Sequence, residues 1–198
     1  AEMRENNIPE WFIESCKKIS YLFPRAHAVA YVMMAFRIAW FKVYHPLAFY
    51  AAYFSIRAKA FDLRIMTGDL KTQMTEFNRI KALDRGASPK DKDLMSALEV
   101  SMEMYQRGYR FVNVDIQHSE ARRFSIKDGA LLPPFLAIDS LGETVADAIV
   151  AEREERPFTS LKDLQRRCKV SNTIIDLMKE LKCCGELPED EQMSLFGA

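Results

Sequence analysis

The 198-residue sequence predicts a mainly α-helical fold with a small β-rich connector, and three observations carry that expectation. Apolar residues recur at intervals of three and four along most of the chain, the period of a helix with one buried face. That period changes once: Phe111, Val112 and Val114, and then Arg123-Phe124-Ser125-Ile126, lead to the turn pair Asp128-Gly129, the pattern of short strands and a hairpin. Hydrophobic residues make up 48% of the chain, enough to bury a core.

Taken in order, residues 9–19 read as a helix opened by Pro9, where the missing N–H costs nothing, with Trp11, Phe12, Ser15 and Ile19 near one face. Residues 26–44 form a second helix rich in Ala, Val, Met and aromatics. Its uninterrupted apolar run covers only 28–36 before Arg37 and Lys42 intervene, short of the roughly 20 apolar residues a bilayer requires, so a buried helix with a basic stripe is expected and no membrane. Tyr44-His45-Pro46 breaks it, and Pro46 opens a helix through Leu47, Phe49, Tyr50, Tyr53 and Phe54. A short extended piece at 61–65 follows, then a long polar helix capped by Thr67 and ending near Asp84. Residues 94–107 make a further helix, with Leu94, Leu98, Met102 and Tyr105 on one face and Gly108 as its C-terminal cap. After the hairpin, Pro133-Pro134 starts a new unit.

The four cysteines, Cys16, Cys168, Cys183 and Cys184, have neither paired C-x-x-C spacing nor histidines at ligand spacing, so no zinc site is expected and a reducing, cytoplasmic compartment is. Formal net charge is zero but uneven, +4 over residues 1–60, +1 over 61–130 and −5 over 131–198. Ala1 to Asn7 reads as the middle of something, which leads to the expectation of a piece of a longer protein.

Residues 135–183 have the layout of two helix-hairpin-helix units in tandem. A short helix at 135–138, the turn Asp139-Ser140-Leu141-Gly142 and a helix at 144–153 make the first; Phe158-Thr159-Ser160 caps a third helix through Leu161, Leu164 and Cys168, Lys169-Val170-Ser171 is the second turn, and 172–181 the fourth helix. Such turns aim backbone N–H groups at a DNA phosphate without reading the base. Gly142, Thr144, Lys169, Ser171, Asn172 and Thr173 are the candidate DNA contacts. The first hairpin of this motif usually carries two glycines flanking an aliphatic residue; here Ser140 stands at the first, which sets a side chain on the turn.

The end of the chain, Gln192-Met193-Ser194-Leu195-Phe196, follows the acidic stretch Pro188-Glu189-Asp190-Glu191, a segment that cannot fold by itself yet delivers large apolar side chains to the end of the sequence. It resembles the peptide by which bacterial polymerases and repair proteins hold the ring-shaped sliding clamp, with Gln192 at the pocket rim and Met193, Leu195 and Phe196 buried. A terminus folded back on its own domain is the alternative. Near the other end, Arg25, His27 and Tyr31 cluster at a helix start, a cation, an imidazole and a phenol where a triphosphate could sit; structural roles for His27 and Tyr31 fit the same pattern.

The block F-P-R-A-H-A-V-A-Y at 23–31, then Y-H-P-L-A-F-Y-A-A-Y-F at 44–54, followed in order by the connector, the tandem hairpins and Q-M-S-L-F, resembles the C-terminal portion of PolC, the C-family replicative DNA polymerase of low-G+C Gram-positive bacteria. The resemblance covers essentially the whole chain. It implies a fingers region over 1–108, the connector over 109–130, a duplex DNA-binding domain over 131–187 and a flexible clamp-binding tail over 188–198. It also implies that Phe23, Arg25, His27 and Tyr31 face the incoming deoxynucleotide, and that Mg2+ is bound by palm acids outside this chain. Asp91 and Asp93 lie in a Lys-rich stretch read as a solvated loop, so no catalytic residue and no metal ligand is assigned here and the segment alone is not expected to polymerise. The partners implied are primer-template duplex, sliding clamp, nucleotide and the remaining polymerase domains. The alternatives are a free-standing adaptor that binds DNA and the clamp without polymerising, and a purely structural helical protein.

Overall fold

The structure is a computed structural model that describes residues 2–19 and 24–190. Its elements are helices and one two-stranded sheet. By packing, the chain divides into two compact units, residues 1–43 and 44–198.

In the first unit lie α1 (Glu2–Glu5), α2 (Glu10–Lys18) and all but the last residue of α3 (Arg25–Tyr44). Pro9 precedes α2, as expected of a residue with no N–H to lose, and Ile13 is its buried position. The expected buried helix at 26–44 is corrected: α3 is present over almost the same residues, but none of them is buried. Phe36 is 73% and Tyr31 66% exposed. A helix this rich in apolar side chains implies cover, and the described residues do not supply it. By length and composition α3 is also long and apolar enough to cross a membrane.

The second unit has two cores. The first is built by α4 (Pro46–Ala52), which runs on through a π-helical turn (Tyr53–Arg57), with α5 (Leu63–Met66), α6 (Leu70–Ala82) and α7 (Pro89–Gln106). Phe54, Phe61, Phe111 and Phe124 meet edge-on, with ring centroids 4.9 Å apart for Phe54–Phe111 and 5.0 Å for Phe61–Phe124. Between α6 and α7, buried Gln73 accepts from the Ser101 hydroxyl at 2.6 Å and donates to the Met66 carbonyl at 3.1 Å, so each buried polar atom is matched.

Three local readings change here. The expected extended piece at 61–65 is the helix α5, capped by Asp62, whose carboxylate accepts the Ile65 N–H. Asp69, not Thr67, caps α6; Thr67 closes α5 instead, its hydroxyl donating to the Leu63 carbonyl. The Lys-rich stretch at 89–93 is the first turn of α7. Ser88 and Asp91 form a reciprocal capping box with Pro89 at the start, so the Asp91 carboxylate is committed to a backbone N–H.

The connector closes as a hairpin of β1 (Ser125–Lys127) and β2 (Ala130–Leu132), antiparallel, with Ile126 opposite Leu131. Asp128 and Gly129 both take positive φ, 50° and 74°, the requirement of the tight hairpin turn that the pair signals. Phe111 adds a single parallel bridge to Leu131. The second core lies under the remaining elements, a 3-10 turn (Phe135–Ala137), α8 (Glu143–Glu155), α9 (Leu161–Cys168) and α10 (Asn172–Glu180). Phe61 packs against both cores. The connector is tied to the second by the Ile116 N–H donating to the Cys183 carbonyl at 3.1 Å and by Arg153, which donates to the Ile116 and Ser119 carbonyls.

Candidate nucleic-acid interface

The two hairpins repeat one geometry. At each, a residue in the left-handed region precedes a buried aliphatic side chain, which precedes the N-cap of the next helix: Ser140 (φ 63°), Leu141 and Gly142 before α8, and Lys169 (φ 55°), Val170 and Ser171 before α10. The aliphatic side chain pins the turn to the core, and the reversal leaves the following N–H groups facing outward. Gly142, Thr144, Lys169, Ser171, Asn172 and Thr173 are all exposed around Leu141 and Val170, which are not.

The hairpins differ in chemistry. Gly142 caps α8 with no side-chain hydrogen bond, and a Cβ placed on it would meet nothing within 4 Å, so the backbone there is open to close approach. Acidic side chains surround it, however: Glu143 and Asp147 both pair with Arg122, the former at 2.6 Å. At the second hairpin the Ser171 hydroxyl accepts the Ile174 N–H at 3.4 Å, the Gln165 amide donates to Asn172, and Lys169 brings a positive charge to the turn itself. The second turn thus carries a positive charge, whereas the first has open backbone at Gly142 beside acidic side chains.

Besides their shared apolar core, an ion cluster joins the end of α8 to α9. The Asp163 side chain is fully buried and receives Arg166 at 2.9 Å, Arg167 at 3.2 Å and Arg156 at 3.2 Å, and it accepts the Thr159 N–H. Arg167 reaches on to Glu152 at 2.9 Å and lies over the Phe158 ring at 4.7 Å. Burial alone would raise the Asp163 pKa; hydrogen bonds from Arg166, the Thr159 N–H and Arg167 outweigh it and hold the carboxyl below its ordinary value. The only hint in the sequence is the i, i+3 and i+4 spacing of Asp163, Arg166 and Arg167.

The other expected sites are spread over the chain. Arg25 is the first residue of α3, and the His27 and Tyr31 rings lie on one helix face with centroids 4.4 Å apart. Phe23 and Gln192, Met193, Ser194, Leu195 and Phe196 lie outside the described residues. Among the described residues no group of three or more His, Cys, Asp or Glu is placed to hold a metal ion. Cys168, Cys183 and Cys184 are buried, and burial pushes the Cys183 thiol up to about 12, which keeps it unreactive.

The helix-hairpin-helix motif family matches residues 108–192. The DNA polymerase III PolC-type of Caldanaerobacter subterraneus subsp. tengcongensis is 48% identical over 195 residues, 98% of this chain and 14% of the relative. The protein of the same name from Streptococcus pyogenes serotype M12 is 49% identical over 197 residues, 98% of this chain and 13% of the relative. Over these residues the chain belongs to the PolC-type DNA polymerase III family. It spans about one-seventh of the length of the curated relatives it matches. The helix-hairpin-helix match takes in the connector as well as the four helical pieces, in keeping with a connector that closes the second core through Val114 and Ile116.

Proposed function

We propose that the chain is the part of a replicative DNA-directed DNA polymerase that grips the primer-template duplex, presents Phe23, Arg25, His27 and Tyr31 to the incoming deoxynucleotide, and tethers the enzyme to the sliding clamp through 192–196. The observation that carries the reading is the repeated hairpin geometry at Ser140–Gly142 and Lys169–Ser171, in a chain whose relatives are named PolC-type DNA polymerase III. A hairpin of this shape contacts the phosphate backbone, so the grip is independent of sequence and weakens with salt. Nucleotidyl transfer itself would use two Mg2+ ions held by acids of the longer polypeptide. A replicative role assigns the protein to the cytoplasm. A clamp tether would raise the local concentration of the enzyme at the primer end, so that even a weak peptide lengthens synthesis.

The adaptor reading expects the N-terminal helices to complete a core of their own. Ile13 is the one buried side chain among the described residues of 1–43, and α3 presents apolar side chains on every face. That favours a segment packed against further polymerase domains.

Titration of a labelled duplex with the chain over a range of salt tests the grip. Lys169→Gln is expected to weaken binding equally for unrelated sequences and to reduce the salt slope by about one. A parallel titration with a bacterial sliding clamp should lose its signal when Leu195→Ala and Phe196→Ala are introduced together. Sequence-selective, salt-indifferent DNA binding would rule out the hairpin grip, and clamp binding unaffected by the two alanines would rule out the tail.

A further inference from the structure

Residues 188–190 are docked on the helix-hairpin-helix domain. The Leu161 and Lys162 N–H groups, in the first turn of α9, donate to the Pro188 and Glu189 carbonyls at 2.9 and 3.2 Å. The Glu189 carboxylate takes the Lys179 ammonium at 2.8 Å, and Asp190 takes that of Lys162. An acidic segment thus occupies a helix N-terminus and neutralises one lysine on α9 and one on α10. Beneath it runs a groove of about 300 Å3 whose walls include Lys162, Lys179, Gln165 and Asn172. Asn172 is the first residue of α10, so this groove opens onto the second hairpin.

The strap supplies to these groups what a nucleic-acid backbone supplies: closely spaced anionic oxygens facing lysines and backbone N–H groups. We propose that the α9–α10 face carrying Lys162 and Lys179 is a further contact for the phosphate backbone, and that the acidic strap covers it in competition with the duplex. The inference rests on the second hairpin being a phosphate contact. The pairs involved are partly exposed, Glu189 at 79% and Lys162 at 67% of their side-chain surface, so each is weak and readily exchanged. A duplex engaged at Lys169 would bring phosphates to lysines that the strap already holds, and the strap would lift as they arrive.

The test is the duplex titration repeated with Glu189→Gln and Asp190→Asn in the full chain. Two released lysines should steepen the salt slope by about two, giving tighter binding at about 50 mM salt with an advantage that shrinks roughly tenfold by about 200 mM. Adding Lys162→Gln and Lys179→Gln should abolish the gain. Should the double variant fold poorly, Glu189→Gln alone should change the slope by about one. Asp93→Asn with Glu99→Gln removes two charges from α7 instead; an equal gain there would make the effect one of net charge and overturn the proposal. Unchanged affinity in the strap variant, with the intact chain binding normally, would overturn it and leave the hairpin grip standing. Absence of duplex binding by every form would overturn both.

Discussion

At the scale of single residues, the buried Asp163 is the charged centre of the helix-hairpin-helix region. Its carboxylate is enclosed, with three guanidinium groups and the Thr159 N–H around it. Removing it leaves Arg167, only 11% exposed, with the Glu152 carboxylate and two backbone carbonyls but without its second carboxylate. Asp163→Ala is expected to destabilise the domain by roughly 3 kcal/mol in denaturant unfolding, the usual result of breaking one side of a buried ion cluster. The pH dependence has a definite sign. The folded-state pKa of Asp163 lies below its unfolded value, so its contribution is fully present above the ordinary carboxylate value of about 3.9 and is lost as pH falls below that. The intact chain should therefore lose stability through acid more steeply than Asp163→Ala, and equal slopes in unfolding measured across that window would show that the carboxylate contributes nothing. Asp91 carries the opposite lesson, since a carboxylate read as belonging to a solvated loop is fixed by the capping box at the start of α7.

At the scale of elements, the hairpins show how much local sequence determines and where it stops. The positions of both turns, the capping stretch ending at Ser160 and the Asp128-Gly129 turn were legible, because each rests on chemistry within four residues: a hydroxyl reaching an N–H, or a residue tolerant of positive φ. The cap of the polar helix falls on Asp69 rather than Thr67 because either residue type can cap a helix, and Thr67 is taken up in closing α5. The ion cluster at Asp163 and the strap were illegible, since each joins residues brought together by packing. Ser140 is the element-scale test. It holds φ 63°, a conformation that costs a residue with a Cβ about 1–2 kcal/mol and costs glycine little. Ser140→Gly is expected to raise stability by less than about 1 kcal/mol after the added freedom of the unfolded chain. It should also tighten duplex binding by opening the first hairpin to phosphate. A stability gain with no change in duplex affinity would mean that the first hairpin does not grip the backbone.

At the scale of the whole molecule, burial is divided very unevenly between the two compact units. Both hydrophobic cores are drawn entirely from residues 44–198, whereas α3 places Val29, Met33, Phe36, Trp40 and Val43 in water. Helix propensity and apolar content made α3 visible in the sequence, but they cannot say whether the cover comes from this chain or from another, and so a buried helix was expected where an exposed one is found. An apolar surface of this extent fits a site of interaction, and the relatives, about seven times longer, have chain enough to cover one. It follows that residues 44–198 should fold without the first 43. The shortened chain is expected to unfold cooperatively at the same denaturant midpoint as the full chain, because no residue of either core is lost, and to retain its affinity for duplex DNA. It should differ in colloidal behaviour: the full chain should bind a hydrophobic dye strongly and self-associate in sedimentation, while the shortened chain should do neither. Unfolding of the shortened chain at a distinctly lower midpoint would mean that the N-terminal helices contribute to the folding of the remainder, and would return weight to an independent protein with a core of its own.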